Sequence, residues 1–316
     1  MSGRRVGVKP NTPAWLAWRA HGVTATDVAA ILGLSSYDSP FSLWWKKKVA
    51  REPGLVFADA APQSKRFALG HAMEPVLERF FKAEQTPEGW RVGSGGCWQG
   101  KSNLAWCRAT PDRLLYDAGP RTRTPVAVVE FKTDASNQFG EDPGDGVPEI
   151  PVIYRAQMLW QMMVVGVDVG WLTCLTSRMQ VKHYRVLPQP GEIDMLHAAA
   201  REFHQSLAAG DPPDLDGHEQ TLAAVRALYR GVDDSTVEID GDLALDFAKA
   251  VERRKYATVF ESEMKARLLD AMGEARAAWC DGQKIATRIE TKRGVQLRPA
   301  TAPRPKPQPI TEEKIA

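Results

Sequence analysis

The stretch VAVVEFKT at residues 126–133 constrains the fold more than any other part of the chain. Its β-branched and aromatic residues predict a strand. Strand alternation sends Val126, Val128, Glu130 and Lys132 to one face and Val129 and Phe131 to the other, so the acid and the lysine point the same way. Upstream, Thr110-Pro111-Asp112 sits in a second strand-like stretch. The midpoint between Asp112 and Glu130 falls at Arg121, inside the turn-like segment DAGPRTRT. A hairpin of this register sets Asp112 opposite Glu130.

Two carboxylates held so close raise each other's proton affinity unless a cation lies between them. Hard oxygen ligands of this kind suit Mg²⁺ or Mn²⁺. Lys132 beside them is placed to hold an attacking water. Glu74 supplies a third acid. On a helix predicted from about Leu69 to Ala83, with Met73, Val76, Leu77, Phe80 and Phe81 on one face, Glu74 keeps step with Leu77 and Phe81 at the edge of that face. Gln157 and Gln161, one turn apart on a helix beginning near Tyr154, lie among Met158, Leu159, Trp160, Met162 and Met163, where their amides need partners. Taken singly each feature has a plain reading: a solvated Glu-x-Lys face, a salt-bridged glutamate, ordinary polar helix positions, a Pro-Asp turn. Their value lies in occurring together and in order.

Around this centre the pattern predicts helices over 14–50, with Thr24 and Asp27 capping one and Gly33 ending it, and Ser39-Pro40 starting the aromatic and basic PFSLWWKKK. Strands are predicted at 104–116, 125–133, 170–176 and 181–187, with helices at 154–165 and 192–209. The expected organisation is a flexible 1–13, a main domain over 14–215, a helical extension with a short hairpin over 216–300, and a proline-rich disordered tail at 301–316. Charge is nearly balanced, 41 Lys and Arg against 39 Asp and Glu in 316 residues, so affinity for nucleic acid has to come from a local basic surface. Cys97, Cys107, Cys174 and Cys280 show neither C-x-x-C pairs nor nearby histidines and predict reduced thiols. The absence of a signal-like or membrane-spanning run predicts a soluble, cytoplasmic protein.

The runs WLAWR at 15–19, GVTATDVAAILGL at 22–34, GHAMEP at 70–75, ATPD at 109–112, VEFKT at 129–133 and YRAQMLWQM at 154–162 together resemble a YqaJ-type viral recombinase. That family belongs with phage lambda exonuclease among the PD-(D/E)xK nucleases. The resemblance spans about residues 14–187. It implies a mixed α/β, restriction-endonuclease-like core in which a central mixed sheet is flanked by helices, with a mainly helical C-terminal extension.

By the same resemblance Asp112, Glu130 and Glu74 are metal-binding acids, Lys132 is the catalytic lysine and Gln157 is the glutamine that follows the core strands. Two Mg²⁺ or Mn²⁺ ions are implied. Arg19, Thr26 and Thr110 match positions that hold a 5′-phosphate, although Thr24 and Thr26 equally suit helix capping. The implied activity is digestion of duplex DNA from 5′ ends, leaving 3′ overhangs for a single-strand annealing protein, in an enzyme that in the lambda-like group forms ring trimers. A phage-encoded member would act in the bacterial host cytoplasm. Arg113 departs from the usual Gly after Pro-Asp, so either the turn differs or Arg113 contacts phosphate. Two rivals stay open: a restriction-like endonuclease of the same superfamily, and a non-catalytic DNA-binding module in which residues 24–45 form a helix-turn-helix.

Overall fold

The computed structural model describes residues 3–52, 65–119, 124–134, 138–141, 147–292 and 294–300. The turn centre at Arg121 and the tail at 301–316 lie outside these residues. The described chain divides into two compact units, the second starting at Gly231.

The first unit opens with β1 (Arg4–Val6), α1 (Pro13–Ala20), β2 (Val23–Thr24), α2 (Ala25–Ile31), α3 (Pro40–Arg51) and α4 (Lys65–Glu84). It continues with β3 (Arg91–Ser94), β4 (Cys97–Gln99), β5 (Cys107–Ala109), β6 (Arg113–Tyr116), β7 (Ala127–Thr133), α5 (Val152–Val165), β8 (Gly170–Leu175), β9 (Val181–Val186), α6 (Glu192–Ala209) and α7 (Glu219–Leu228). Its main sheet has the order β3-β6-β7-β8-β9. β7 and β8 run parallel and the other neighbours antiparallel, so the sheet is mixed as expected. A smaller sheet has the order β1-β4-β5-β2.

The alternation read from VAVVEFKT separates the two cores. Val128 joins Leu114, Tyr116, Leu172 and Tyr184 on the face covered by α5, which is backed by α2 and α6. Val129 and Phe131 join Leu115, Leu77 and Phe81 on the face covered by α4. Val126 lies just before β7 and packs with this second group, not with Val128, because the alternation holds only within the paired strand. On α4, Leu77 and Phe81 are buried as expected, whereas Val76 and Phe80 face outward, since the stripe that meets the sheet is narrower than the apolar run. Gly166, at φ 87°, ends α5 in the left-handed conformation that glycine adopts without strain.

Three expectations change. The N-terminal segment is not free, because β1 pairs antiparallel with β4 from Arg4 opposite Gln99 to Val6 opposite Cys97. The main unit extends past 215 because α7 packs on α3, burying Ala224 and Thr221, whose Oγ1 donates to Ser39 Oγ at 2.6 Å. The helix-turn-helix reading also fails at its second helix, for Phe41, Leu43, Trp44 and Lys47 of α3 are buried while Lys46 and Lys48 are ion-paired.

The second unit holds α8 (Gly241–Met272) and a three-stranded antiparallel sheet of β10 (Ala277–Cys280), β11 (Gln283–Thr291) and β12 (Gly294–Pro299). The expected hairpin thus gains a third strand. Among the described residues no helix is long and apolar enough to cross a membrane. Cys97, Cys107 and Cys174 are buried free thiols and Cys280 is an exposed one.

Candidate functional site

The β6–β7 register runs through Arg113 opposite Val129, so Asp112, one residue before β6, falls opposite Glu130. The anticipated pairing of the two acids is present, and the Phe131 amide donates to Asp112 Oδ2 at 2.8 Å. Gly95 lets the backbone come this close. A Cβ there would meet the Pro111 carbonyl oxygen at 1.7 Å, and the Gly95 amide donates to the Asp112 carbonyl at 3.3 Å.

Glu130 is buried, and three donors converge on its carboxylate. Lys132 Nζ reaches Oε1 at 2.5 Å, Gln157 Nε2 reaches Oε1 at 2.5 Å, and Gln161 Nε2 reaches Oε2 at 2.9 Å. A buried carboxylate without such donors would be strongly destabilising. Asp112 is less well compensated. Burial first, then the neighbouring Glu130 and Glu74 charges, push its carboxyl well above the ordinary range against the opposing pull of Lys132. Burial draws the Lys132 ammonium down, but Glu130 and Asp112 outweigh it and hold the amine above its usual value. The lysine also sits over the Tyr154 ring, 5.1 Å from its centroid.

Glu74 reaches this centre from α4. Its Oε1 is bonded to His71 Nδ1 at 2.7 Å, and its charge acts on Asp112. Among the described residues no three His, Cys, Asp or Glu side chains are already grouped as metal ligands. The donor set nonetheless fits a hard divalent cation: two opposed carboxylate positions, a third acid within electrostatic reach, and an aspartate whose proton affinity burial and the neighbouring acids raise, which a cation would relieve.

The second expected group also assembles. Arg19 Nη2 donates to Thr26 Oγ1 at 2.7 Å and to Thr24 Oγ1 at 3.5 Å, while its guanidinium lies over the Trp15 ring at 4.5 Å. Trp15 Nε1 donates to Thr110 Oγ1 at 3.4 Å, so the indole links Thr110 to Arg19, which in turn holds Thr26. Thr24 also fulfils its capping role, its amide and hydroxyl both donating to Asp27 Oδ2 at 2.7 Å.

Arg113 and the basic WWKKK run are both engaged within the fold. Arg113 donates to Glu78 Oε2 and to the Asp112 carbonyl, each at 2.7 Å, so it braces the turn. In WWKKK, Trp44 is buried, Lys46 pairs with Asp38, Lys48 pairs with Glu52, and Lys47 is buried against Asp27 at 2.8 Å. The three lysines of that run are therefore spent on ion pairs within the chain. Sequence reasoning passed over Tyr154, His71 and Gly95. Tyr154 precedes Gln157 by three residues, a same-face helical spacing that would have drawn it in.

The fold and site therefore define a mixed α/β protein with an acid–acid–lysine centre on the inner strands of its sheet, covered by a glutamine-bearing helix. Residues 14–168 match the family model of the YqaJ-like viral recombinase domain. Over 301 residues the chain is 23% identical to Uncharacterized protein YqaJ of Bacillus subtilis (strain 168), covering 88% of this chain and 86% of that protein. Among solved structures, similarity is found to LHK-Exo in complex with dAMP, with TM-score 0.48, 19% identity and coverage of 63% of this chain and 94% of that one. It is also found to the alkaline exonuclease LHK-Exo from Laribacter hongkongensis, with TM-score 0.44, 21% identity and the same 63% and 94% coverage. A putative exonuclease from Eubacterium rectale is similar at TM-score 0.41 and 11% identity, covering 74% of this chain and 97% of that one.

Proposed function

We propose that this protein is a recombination exonuclease that hydrolyses duplex DNA from 5′ ends with Mg²⁺ or Mn²⁺ and leaves 3′ overhangs for strand annealing. The observation that carries the reading is the opposed register of Asp112 and Glu130 with Lys132 Nζ 2.5 Å from Glu130. The YqaJ-like domain over 14–168 supports the recombination context.

Asp112 and Glu130 would hold the cations, with Glu74 supporting a second ion or its waters. A bound divalent cation lowers the pKa of water and offsets charge on the scissile phosphate. Lys132 orients the attacking water. Gln157 and Gln161 fix the Glu130 carboxylate so that its oxygens do not rotate away. Arg19, Thr26 and Thr110 receive the terminal 5′-phosphate, the guanidinium being pre-set on Trp15.

The test is digestion of linear duplex bearing 5′-phosphate or 5′-hydroxyl ends beside a closed circular duplex, with Mg²⁺, Mn²⁺ or chelator. The reading expects metal-dependent loss of the 5′ strand, faster from phosphorylated ends, and an untouched circle. Cutting of the circle would replace it with the restriction-like endonuclease reading. Unchanged linear DNA under all conditions would end both.

A further inference from the structure

One turn along α1 from Trp15 the same unit occurs again. Trp18 carries the guanidinium of Arg108 over its ring at 5.0 Å, as Trp15 carries Arg19 at 4.5 Å. The Trp18 indole N–H donates to Gln99 Oε1 at 3.3 Å, as that of Trp15 donates to Thr110. Arg108 comes from β5, where it pairs with Thr24 of β2. It precedes Thr110 by two residues, a same-face strand step of about 6.6 Å. Gly22 makes room for it, since a Cβ there would meet the Arg108 side chain at 2.6 Å.

A second arginine joins this unit. Arg51, at the end of α3, donates through Nε to the Ala20 carbonyl at 2.8 Å, and Arg108 Nε donates to the Ala105 carbonyl at 3.4 Å. Those bonds occupy one N–H of each guanidinium. Arg51 Nη2 and Arg108 Nη1 are buried without a hydrogen-bond partner. Burial and then the Arg51 charge bring Arg108 down to about 10, and no carboxylate among the described residues acts on either guanidinium.

His204 of α6 closes the group, facing Arg51, Arg108 and Lys47. Its ring is fixed by Trp106, which lies stacked between His197 at 5.5 Å and His204 at 4.9 Å. Those histidines are two helical turns apart, about 10.5 Å, the span that one sandwiched indole fills. Lys47 is already neutralised by Asp27. The arginine pair is therefore a half-buried double charge with spare donors and no counter-charge, which folding tolerates at a cost unless an anion completes it.

We propose that Arg51 and Arg108, framed by Trp18 and His204, form a second phosphate subsite that takes a backbone phosphodiester next to the group held by Arg19. The DNA assignment rests on the exonuclease reading above; the anion subsite does not. A backbone phosphate is favoured because the subsite repeats the indole–guanidinium unit of the Arg19 pocket at one helical turn and is joined to it through β5.

Two arms test this on the full chain. In the first, thermal melting compares inorganic phosphate with chloride at equal ionic strength, in an Arg19→Gln background that removes the first pocket. Phosphate is expected to raise the melting temperature there, and Arg108→Gln or Arg51→Gln added to that background is expected to abolish the rise. His204→Glu, which supplies a carboxylate internally, is expected to make the protein as stable without phosphate as with it. An equal rise with and without Arg108 overturns the subsite.

In the second arm, binding of linear duplex is titrated against salt in chelator. Arg108→Gln is expected to lower the slope of log affinity against log salt by about 0.9 and to weaken binding about tenfold, with Arg108→Lys largely restoring both. A lost phosphate response with an unchanged slope overturns the DNA assignment in favour of a free phosphate. Failure of the unsubstituted chain to bind DNA at all counts against the exonuclease reading, while the melting arm still decides the subsite.

Discussion

Among the described residues the first unit contains buried ion pairs beside exposed ones, whereas the ion pairs of the second are all exposed. In the first, Arg155 at the start of α5 meets Glu192 in the first turn of α6 through two parallel bonds, 2.8 Å and 2.6 Å, with side chains 2% and 3% exposed. In the second, Arg267 meets Glu263 at 2.6 Å across one turn of α8, with side chains 73% and 49% exposed. The distances are alike, but the surroundings are not. A buried pair becomes a heavy liability once one partner is gone, whereas an exposed helical pair is screened by water and salt. Short distances alone therefore say little about what a contact contributes, and the first unit is where polar side chains are held rigidly enough to do chemistry.

That contrast can be broken most severely at the acids. Asp112→Asn or Lys132→Met is expected to lower DNA cleavage by about a thousandfold, the scale of losing a group that stabilises developing charge. Circular dichroism should stay close to that of the unsubstituted protein for both, while the melting temperature falls in Lys132→Met because Glu130 loses a donor. Retained cleavage would remove the centre from the reaction.

Next in size, Glu192→Gln is expected to destabilise the first unit by about 3 kcal/mol, because Arg155 is left buried without its counter-charge. Urea unfolding followed by tryptophan fluorescence measures it. A loss under about 1 kcal/mol would mean that water compensates the arginine and that the two units differ less than their exposures imply.

Acid should separate the units as well. His183, His197 and His204 all lie in the first unit and are held below the ordinary histidine value of 6.5 by burial. For groups whose folded pKa is depressed, stability is present above the unfolded value and lost as pH falls through the folded one. Melting of the first unit is therefore expected to drop as pH falls below about 6.5, while residues 231–300, which contain no histidine, gain no such term. Hydrogen exchange at pH 7 and pH 5 would resolve the two regions, and equal acid sensitivity would contradict the assignment. The smallest effect is reserved for Glu263→Gln on α8, about 0.3 kcal/mol, shrinking further in high salt.

How far the sequence foretold this arrangement depends on the range of the interaction. Strand alternation is local, so the facing of Glu130 and Lys132 and the split of Val128 from Val129 were legible in eight residues. The Asp112–Glu130 register followed from counting to a turn. The step of Glu74 with Leu77 and Phe81 followed from helical periodicity. Contacts made by docking escaped: β1 on β4, α7 on α3, and the burial of Lys47 against Asp27 all depend on elements distant in sequence. The WWKKK run shows the cause well, since nothing in its composition distinguishes a DNA-facing surface from a helix whose lysines serve internal carboxylates and the carbonyl end of α1.

The parallel pairing of β7 with β8 also governs the order in which the molecule can assemble. Glu130 aligns with Leu172, and the chain between them must first form α5 and return before that pairing can close. β10, β11 and β12 are joined only by short antiparallel turns and need no such detour. Refolding should therefore be biphasic, a fast phase for the local meander preceding a slower one in which Gln157 and Gln161 arrive at Glu130. A newly made chain would acquire the fully hydrogen-bonded Glu130 carboxylate only after α5 has formed and docked.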